Sequence, residues 1–324
     1  MTLSQFNGHA MVQQVYIGAS QHMVGDLVAL EEAISDAPMR ANLRHADHGA
    51  NTFSRSDRNA VELAEGAMAA CLAASNRNHS SIDAVILASN GIDAAGGLDS
   101  AWLGSLSQRL GLSSAAHYQI GLAGCASFHW AARLAASLVG AGQCNNVLIV
   151  TFDKVEGALQ RLYAEGSDFP YLTGDAAAAC LVSNSPEFLD YRLQGKVINI
   201  WDGHHATSPS LDAEIHHIDQ LFQQVCSSAG VDMDQVDLLI TNNYSMDVSR
   251  LYCQIAGMNE TKAFTQTIAT HAHCFGSDNI INLHHSQQAR PLLPGQRVML
   301  FSVGPCQWGA CILQKLDRIP EVAC

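Results

Sequence analysis

The sequence predicts an α/β protein built from two similar halves. Short apolar runs, each typical of a buried strand, alternate with segments of helical periodicity. The text around these runs in the first half recurs in the second half, which indicates a duplicated unit. With 324 residues, 48% of them hydrophobic, the chain is long enough for both units to contain a core.

Four apolar runs stand in the order expected of two βαβαβ units: IDAVILAS (82–89), NNVLIVTFD (145–153), VDLLITNN (236–243) and QRVMLFSVG (296–304). The sequence that precedes the first run resembles the sequence that precedes the third run. The second and fourth runs, with the residues before them, also resemble each other. The segments near the ends of the two halves also match, since DAAAACLVSN (175–184) resembles QWGACILQ (307–314). We therefore predict halves 1–184 and 185–324, packed tightly because no proline- or serine-rich linker joins them.

Composition excludes several classes of function. A net charge of −13 without a lysine- or arginine-rich run argues against a nucleic-acid partner. No apolar stretch approaches the ~18 residues of a membrane helix, and the first residues do not resemble a secretion signal. Ten cysteines without a CxxC pair are typical of reduced thiols. We therefore expect a cytoplasmic protein without a membrane partner.

The segment GLAGCASFHWAARLAASLVGAG (121–142) places a cysteine at the start of a predicted apolar helix. The free N–H groups and the helix dipole favour a thiolate at Cys125, and its small neighbours leave room for a carbonyl carbon. The alternative is a core thiol, because free cysteine is among the most buried residue types. The pattern alone leaves both interpretations open.

Two later motifs follow this segment in order, YLTGDAAAACLV (171–182) and SVGPCQWGACILQ (302–314). Together with residues 99–154 they resemble the β-ketoacyl-ACP synthase III enzymes of the thiolase superfamily. The resemblance implies a thiolase-like fold of duplicated βαβαβ halves in five αβαβα layers. It also implies that Cys125 carries an acyl group as a thioester. The backbone N–H groups of Cys125 and Gly304 then form the oxyanion hole, and Asp175 holds a turn.

Two residue types are exchanged relative to this family. Asn242 stands where the family has a histidine, and His273 stands where it has an asparagine. A histidine at 273 can act as a general base, and a Cys–His pair suits acyl transfer to a hydroxyl or amine. Condensation is not excluded by the exchange, because His273 and Asn242 could both donate hydrogen bonds.

Three assignments around His273 have alternatives. His271 becomes the active imidazole if the loop alignment slips by two residues. Asp278 either orients the imidazole, as in a triad, or interacts only with backbone N–H groups at a helix start. His129, one turn after Cys125, is expected to be a packed helix residue.

The predicted donor entrance also departs from the family. Arg40 is kept as a weak candidate for donor binding, but Asp36 replaces a tryptophan and Asp247 replaces an arginine. Two acidic residues make this entrance less favourable for a phosphate-rich donor. We expect no cofactor. We also expect no metal site, because the histidine pairs 204–205, 216–217 and 284–285 lack metal-ligand spacing to a second cluster.

These observations predict an acyltransferase that receives an acyl group on Cys125 and passes it to a small-molecule acceptor in specialised metabolism. The donor is an acyl thioester of acyl carrier protein or coenzyme A. A decarboxylating β-ketoacyl synthase and a non-catalytic partner subunit are the alternatives. The resemblance further implies a homodimer joined edge to edge through the first-half sheets, with a heterodimer as the alternative.

Overall fold

A computed structural model describes residues 13–90, 100–155, 161–163, 170–203 and 210–317. The α-helices in this part of the chain are α1 (Ala37–Arg44), α2 (Ala60–Ser75), α3 (Ser100–Leu110), α4 (Ser127–Gly140), α5 (Leu211–Ala229), α6 (Met246–Ile255), α7 (Ile268–His271) and α8 (Asp278–Ala289). The strands are β1 (Tyr16–Val24), β2 (Asp26–Ala29), β3 (Thr52–Arg55), β4 (Ala84–Ala88), β5 (Ala116–Ile120), β6 (Asn146–Asp153), β7 (Leu162–Tyr163), β8 (Tyr171–Leu172), β9 (Ala176–Ser183), β10 (Tyr191–Trp201), β11 (Leu238–Ile240), β12 (Ala263–Phe264), β13 (Arg297–Gly304) and β14 (Gln307–Lys315).

Ten strands form one sheet in the order β12-β11-β13-β14-β10-β1-β9-β6-β4-β5. The order is symmetric about the contact between β1 and β10, where Tyr16 and Ile17 pair with Arg192 and Tyr191. On each side three strands are parallel, and an antiparallel strand follows next to them: β9 beside β6, and β14 beside β13. The α/β class predicted from the sequence is confirmed, and each of the four apolar runs forms a strand.

The hydrophobic core shows five layers. One cluster joins α4 and α8 to the inner faces of both half-sheets, so these two helices form the central layer. A second cluster packs α2 and α3 against the outer face of the first half-sheet. A third packs α5 and α6 against the outer face of the second. The sequence of layers is therefore αβαβα, and the central helices begin deep inside the molecule.

Local sequence explains where the outer helices begin and end. In α2 the side chain of Asn59 accepts from the N–H of Glu62, and the Glu62 side chain accepts from the N–H of Asn59, which is a capping box. Helix α5 begins directly after its N-cap residue Ser210, whose hydroxyl oxygen accepts a hydrogen bond from the N–H of Ala213. It ends at Gly230, which has a φ of 65°.

The predicted boundary between residues 184 and 185 lies in the connection from β9 to β10. The symmetric strand order supports this division into halves, which we retain as a proposal. The sequence also predicts that side chains around NGIDAAGGLDSAW (90–102) influence the depth of an acyl tunnel, and residues 91–99 of this segment lie outside the described residues. Within the described residues, no helix is both long and apolar enough to cross a membrane.

Candidate active site

Cys125 lies in a short 3₁₀ turn, Gly124–Ala126, directly before α4. The side chain is buried, with 6% of its surface exposed. Gly124 has a φ of 53°, and a Cβ on it would lie 2.7 Å from Cδ of Pro305. A larger residue at 124 is therefore disfavoured both by conformation and by space. The turn places the sulfur at the positive end of the central helix, as the sequence predicts.

The starts of the two central helices meet at this site. A second 3₁₀ turn, Phe275–Ser277, precedes α8 in the same way as the Cys125 turn precedes α4. The hydroxyl oxygens of Thr151 and Ser277 are 3.0 Å apart, which anchors the second turn to β6. The described structure thus brings both helix N-termini to one buried point.

His273 connects the two helix starts. Its Nε2 lies 3.1 Å from Sγ of Cys125, and its Nδ1 lies 2.5 Å from Oδ2 of Asp278. The imidazole and the carboxylate are fully buried. Asp278 also accepts hydrogen bonds from the backbone N–H groups of Asn243 and Cys274, each at 2.8 Å. Both interpretations of Asp278 are therefore compatible with its geometry: the carboxylate contacts backbone donors and also the imidazole.

The electrostatics of this site favour a charged imidazole. Burial by itself lowers the pKa of His273, but the charge of Cys125 and the charge and hydrogen bond of Asp278 outweigh it and raise the pKa to about 10. A protonated imidazole next to a cysteine sulfur stabilises negative charge on that sulfur. Such a pair provides a nucleophile without a further base.

Asn242 lies beside the triad, but its amide points to the backbone. Its Nδ2 donates to the carbonyl of Phe275 at 3.1 Å, and its Oδ1 accepts from the N–H of Val303 at 2.9 Å. Asp278 Oδ2 is a longer contact of Nδ2, at 3.5 Å. In this geometry Asn242 ties the second turn to β13, and its donor is not directed at Cys125.

Gly304 ends β13 against the Cys125 turn. A Cβ at position 304 would lie 3.0 Å from the backbone N of Cys125 and 3.1 Å from the carbonyl of Ala123. A side chain at 304 would require the Cys125 turn to move by a few tenths of an ångström, so glycine suits this close approach of β13. Pro305 follows and has no N–H, so it cannot replace Gly304 as a backbone donor.

Aromatic rings enclose the imidazole. The ring centroid of Tyr244 lies 4.3 Å from that of His273, and those of Phe275 and Tyr171 lie at 5.2 and 5.5 Å. The Tyr244 hydroxyl donates to the carbonyl of Val303 at 2.7 Å. Burial raises the pKa of Tyr244, and the charge of Cys125 adds to the rise, so the phenol stays neutral. Our sequence reasoning missed these rings, although Tyr171 begins a quoted motif and Tyr244 directly follows the apolar run 236–243.

Other residues considered from the sequence lie away from the sulfur. His129 is fully buried, and its Nε2 lies 3.1 Å from the carbonyl of Leu300, as expected of a packed helix residue. His271 contacts its neighbour Thr270 through Nδ1 at 2.7 Å. Asp175 is also buried, and it accepts from the N–H of Val155 and from Arg161, as its predicted turn-holding role requires.

The candidate donor entrance is engaged in local contacts. Arg40 donates from Nη1 to the carbonyls of Ile34 and Ser35, and its Nε lies 3.5 Å from a carboxylate oxygen of Glu31. Asp36 accepts from a backbone N–H as the N-cap of α1. Asp247, which stands where the family has an arginine, forms an ion pair with Arg250 at 2.7 Å.

Comparison with known families agrees with this architecture. Residues 122–196 match the family described as 3-oxoacyl-[acyl-carrier-protein (ACP)] synthase III, and residues 226–315 match its C-terminal part. The two matched segments together make up about half of the chain and contain Cys125, His273 and Gly304. The chain belongs to this family. It is thus a synthase III-like enzyme of the thiolase superfamily.

Solved structures show the same fold for this synthase III-like enzyme. ChlB3, described as an acyltransferase, is 17% identical with a TM-score of 0.82, covering 95% of this chain and 99% of its own. The synthase III of Aquifex aeolicus is 16% identical with a TM-score of 0.75, covering 93% and 99%. The Pseudomonas aeruginosa synthase III has the same identity and TM-score, covering 95% and 100%. No curated protein sequence matches the chain.

Proposed function

We propose that this enzyme is an acyltransferase that carries an acyl group on Cys125 and passes it to an oxygen or nitrogen of a small-molecule acceptor in specialised metabolism. The observation that supports this most directly is the continuous contact from Cys125 through His273 to Asp278. A nucleophile, a base and a carboxylate that orients the base are the three parts that acyl transfer requires.

In the first step the Cys125 thiolate attacks the carbonyl carbon of an acyl thioester. The bond between that carbon and the donor sulfur breaks, and the departing donor sulfur takes the proton from the His273 imidazolium. The backbone N–H groups of Cys125 and Gly304 stabilise the tetrahedral oxyanion. The acyl group is then held as a thioester on Cys125, beside a neutral imidazole.

In the second step Nε2 of His273 takes the proton of the acceptor hydroxyl or amine as that group attacks the thioester. The new tetrahedral intermediate collapses, the bond to Sγ breaks, and Cys125 leaves as the thiolate. Asp278 accepts the Nδ1–H, so it holds the imidazole in the tautomer whose Nε2 can receive a proton. The imidazolium and thiolate of the resting site are restored.

Carbon–carbon condensation is less consistent with the arrangement of Asn242. By the family resemblance, condensing members use a histidine and an asparagine to donate hydrogen bonds to the malonyl thioester carbonyl. Here the Asn242 amide donates to a backbone carbonyl and His273 is bound to Asp278. The acyl acceptor is therefore proposed to be a hydroxyl or an amine.

Enzymes of this family use acyl groups attached to acyl carrier protein or coenzyme A and are usually dimeric. We assign this chain the same class of donor. For the dimer, β5 is the end strand of the sheet and pairs only with β4 among the described strands. Tyr118 on β5 is 37% exposed and Leu122 just beyond it is 96% exposed. An unpaired edge beside apolar side chains supports a second copy as its partner.

The acyl-enzyme is tested by intact-mass spectrometry after incubation with a panel of acyl thioesters. We expect one acyl addition, mapped to Cys125, and its loss when an acceptor with a hydroxyl or amine is supplied. Cys144→Ala is the matched control, because Cys144 is also buried but lies outside the site. Acylation that persists in Cys125→Ala contradicts the proposal. Carbon dioxide released from a malonyl thioester in step with turnover would assign condensation instead.

The assembly is tested by light scattering after size exclusion. We expect twice the mass of one chain for the wild type and a single-chain mass for Tyr118→Glu, which places a charge on the β5 edge. A wild-type monomer at micromolar concentration contradicts the homodimer. A dimer unaffected by Tyr118→Glu contradicts its placement at β5.

A further inference from the structure

Four histidines gather where β1 of the first half meets α7 and α8 of the second. The ring centroid of His22 lies 4.9 Å from those of both His284 and His285. The ring of His271 lies 5.2 Å from His285 and 6.3 Å from His22. His284 and His285 form an isolated pair in the sequence, but in the structure two further histidines lie beside them.

Three of these rings present ligand atoms to one another. One ring nitrogen from each of His22, His271 and His285 lies within 4.8 Å of the other two. Zinc binds imidazole nitrogen at ~2.0–2.1 Å, so ligand nitrogens in a tetrahedral site are ~3.3 Å apart. Side-chain shifts of about 1 Å or less bring the three nitrogens to that separation, given their present spacing.

Two of these rings carry nitrogens without partners. Nδ1 of His22 and Nε2 of His285 are buried and have no hydrogen-bond partner. Buried polar atoms in folded proteins are nearly always paired, with protein, water or an ion. Two unpaired imidazole nitrogens in one cluster therefore point to a missing ligand.

The third ring contacts a hydroxyl that can select the tautomer a metal ligand needs. Nδ1 of His271 lies 2.7 Å from the hydroxyl oxygen of Thr270, and the same hydroxyl lies 3.3 Å from the carbonyl of Thr267. When the hydroxyl proton is directed to that carbonyl, the hydroxyl oxygen accepts from Nδ1–H. The lone pair of His271 is then on Nε2. Histidine ligands of metals commonly make this second hydrogen bond to a neighbouring acceptor.

His284 shows the same arrangement. Its Nδ1 lies 2.7 Å from the carbonyl of Ser20 and donates to it, which leaves the lone pair on Nε2. Its ring is adjacent to His22, and water or His284 can complete a fourth position. His22, His284 and His285 are only partly buried, so an ion from solvent can reach the cluster.

We propose that His22, His271 and His285 bind a divalent transition-metal ion, with zinc as the chemistry that fits best. Neutral imidazole is a ligand for zinc, copper and nickel, and three histidines with one open position are a known zinc arrangement. Such an ion links β1 to α7 and α8, and therefore links the two proposed halves. The ion would also hold His271 in place. His271 lies two residues before His273, and Ala272 between them has a φ of 60°.

The protonation of the rings is compatible with this site. Burial, followed by the neighbouring histidines, lowers the pKa of His22 to about 3. Burial and His285 lower the pKa of His271 to about 4, although Asp278 opposes this. At neutral pH both rings are uncharged and their lone pairs are available to a metal.

The test is a titration of the chelator-treated full chain with Zn²⁺ in competition with a chromophoric chelator. We expect one tight equivalent per chain. His22→Gln and His285→Gln, made separately, are expected to weaken it by at least ~100-fold, more than the ~10–100-fold effect of losing an outer hydrogen-bond partner. His216→Gln, an exposed histidine outside the cluster, is the matched control and is expected to bind like the wild type.

Two measurements separate this site from binding to cysteine. With Co²⁺ alone as the probe, we expect visible d–d bands without a thiolate-to-cobalt charge-transfer band. We also expect Zn²⁺ to raise the melting temperature of the wild type and of His216→Gln, and not of the two cluster variants. The proposal is overturned if no stoichiometric site is found, if both cluster variants bind Zn²⁺ as tightly as the wild type, or if a thiolate charge-transfer band appears. Either variant decides the question if the other does not fold.

Discussion

Replacing Asp278 with asparagine tests whether the buried carboxylate supports the base. Asp278 accepts hydrogen bonds from two backbone N–H groups and from Nδ1 of His273, and a longer one from Nδ2 of Asn242. Asparagine has one acceptor oxygen and an NH₂ group. If the oxygen keeps its bond to Cys274 N, the NH₂ group faces Nδ1 and Asn243 N. An NH₂ donating to Nδ1 forces the proton onto Nε2, so His273 can no longer take a proton from the acceptor.

The magnitude follows from the contact that is lost. A hydrogen bond to a charged group contributes ~1.5–3 kcal/mol, or ~10–150-fold in rate when it acts only on the charged imidazolium. A general base contributes ~10²–10⁴-fold in total, which sets the upper limit if the wrong tautomer removes the base altogether. We therefore expect Asp278→Asn to lower acceptor-dependent turnover by ~10²–10³-fold, less than or equal to the loss in His273→Ala.

The assay is single-turnover transfer from acyl-Cys125 to the acceptor, with iodoacetamide alkylation of Cys125 at pH 7 as a second readout. Alkylation is expected to slow in Asp278→Asn, because the imidazolium beside the sulfur loses its support. Asp247→Asn is the control, since that carboxylate lies at the surface in an ion pair with Arg250. Full transfer and alkylation rates in a folded Asp278→Asn protein would refute the assignment of Asp278 to the triad.

Three other substitutions have defined outcomes. Gly304→Ala keeps the backbone N–H, but its Cβ would lie 3.0 Å from the backbone N of Cys125 and would push β13 away from the Cys125 turn. Loss of one oxyanion-hole donor costs ~10²–10³-fold, so acylation is expected to fall by up to that factor as the donor is displaced; an unchanged acylation rate contradicts this role. Arg161→Ala leaves the Asp175 carboxylate buried without its cation and is expected to cost ~3–5 kcal/mol in urea unfolding. Removing the solvent-exposed partner of Glu65 by Arg109→Ala is expected to cost much less, because water screens that pair; equal losses would refute the distinction. Burial lowers the pKa of His129 to about 3 in the folded protein, so as the pH falls the unfolded chain protonates this imidazole first. The free energy of unfolding is therefore expected to fall as the pH drops below ~6.5, by ~2 kcal/mol at pH 5. His129→Gln should reduce that pH dependence of urea unfolding, and an undiminished slope contradicts it.

Much of the fold was predictable because it depends on local patterns. The four apolar runs form strands because each combines β-branched and aliphatic residues over a length that suits a buried strand. The duplication was readable because matching text in both halves reflects matching elements, and the strand order is symmetric as expected. The apolar periodicity after Cys125 predicted a helix that starts at the cysteine, and Cys125 lies in the turn directly before α4.

The orientation of side chains at the site was less predictable. The exchange of Asn242 and His273 could be read from the sequence, but the direction of the Asn242 amide depends on backbone groups at 275 and 303. The rings of Tyr171 and Tyr244 reach His273 only through tertiary packing. A motif gives the position of a side chain along an element, and long-range contacts decide which partner it bonds.

The histidine cluster was missed for the same reason. Metal-ligand spacing in sequence detects ligands that one turn or helix brings together. Here His22 comes from β1 and is separated by about 250 residues from His271 and His285. Only the packing of β1 against α8 brings them into one cluster, so our expectation of no metal site rested on pairs considered one at a time.

The duplication also explains how the triad is arranged. Cys125 lies in the turn before α4, and Asp278 follows the matching turn at the start of α8. The sulfur of Cys125 and the carboxylate of Asp278 therefore each lie at the positive end of a central helix, where the dipole and free N–H groups stabilise negative charge. His273 lies between the two helix starts and contacts both groups. Two copies of one helix start thus supply the proposed nucleophile and the carboxylate, and the imidazole of His273 bridges them.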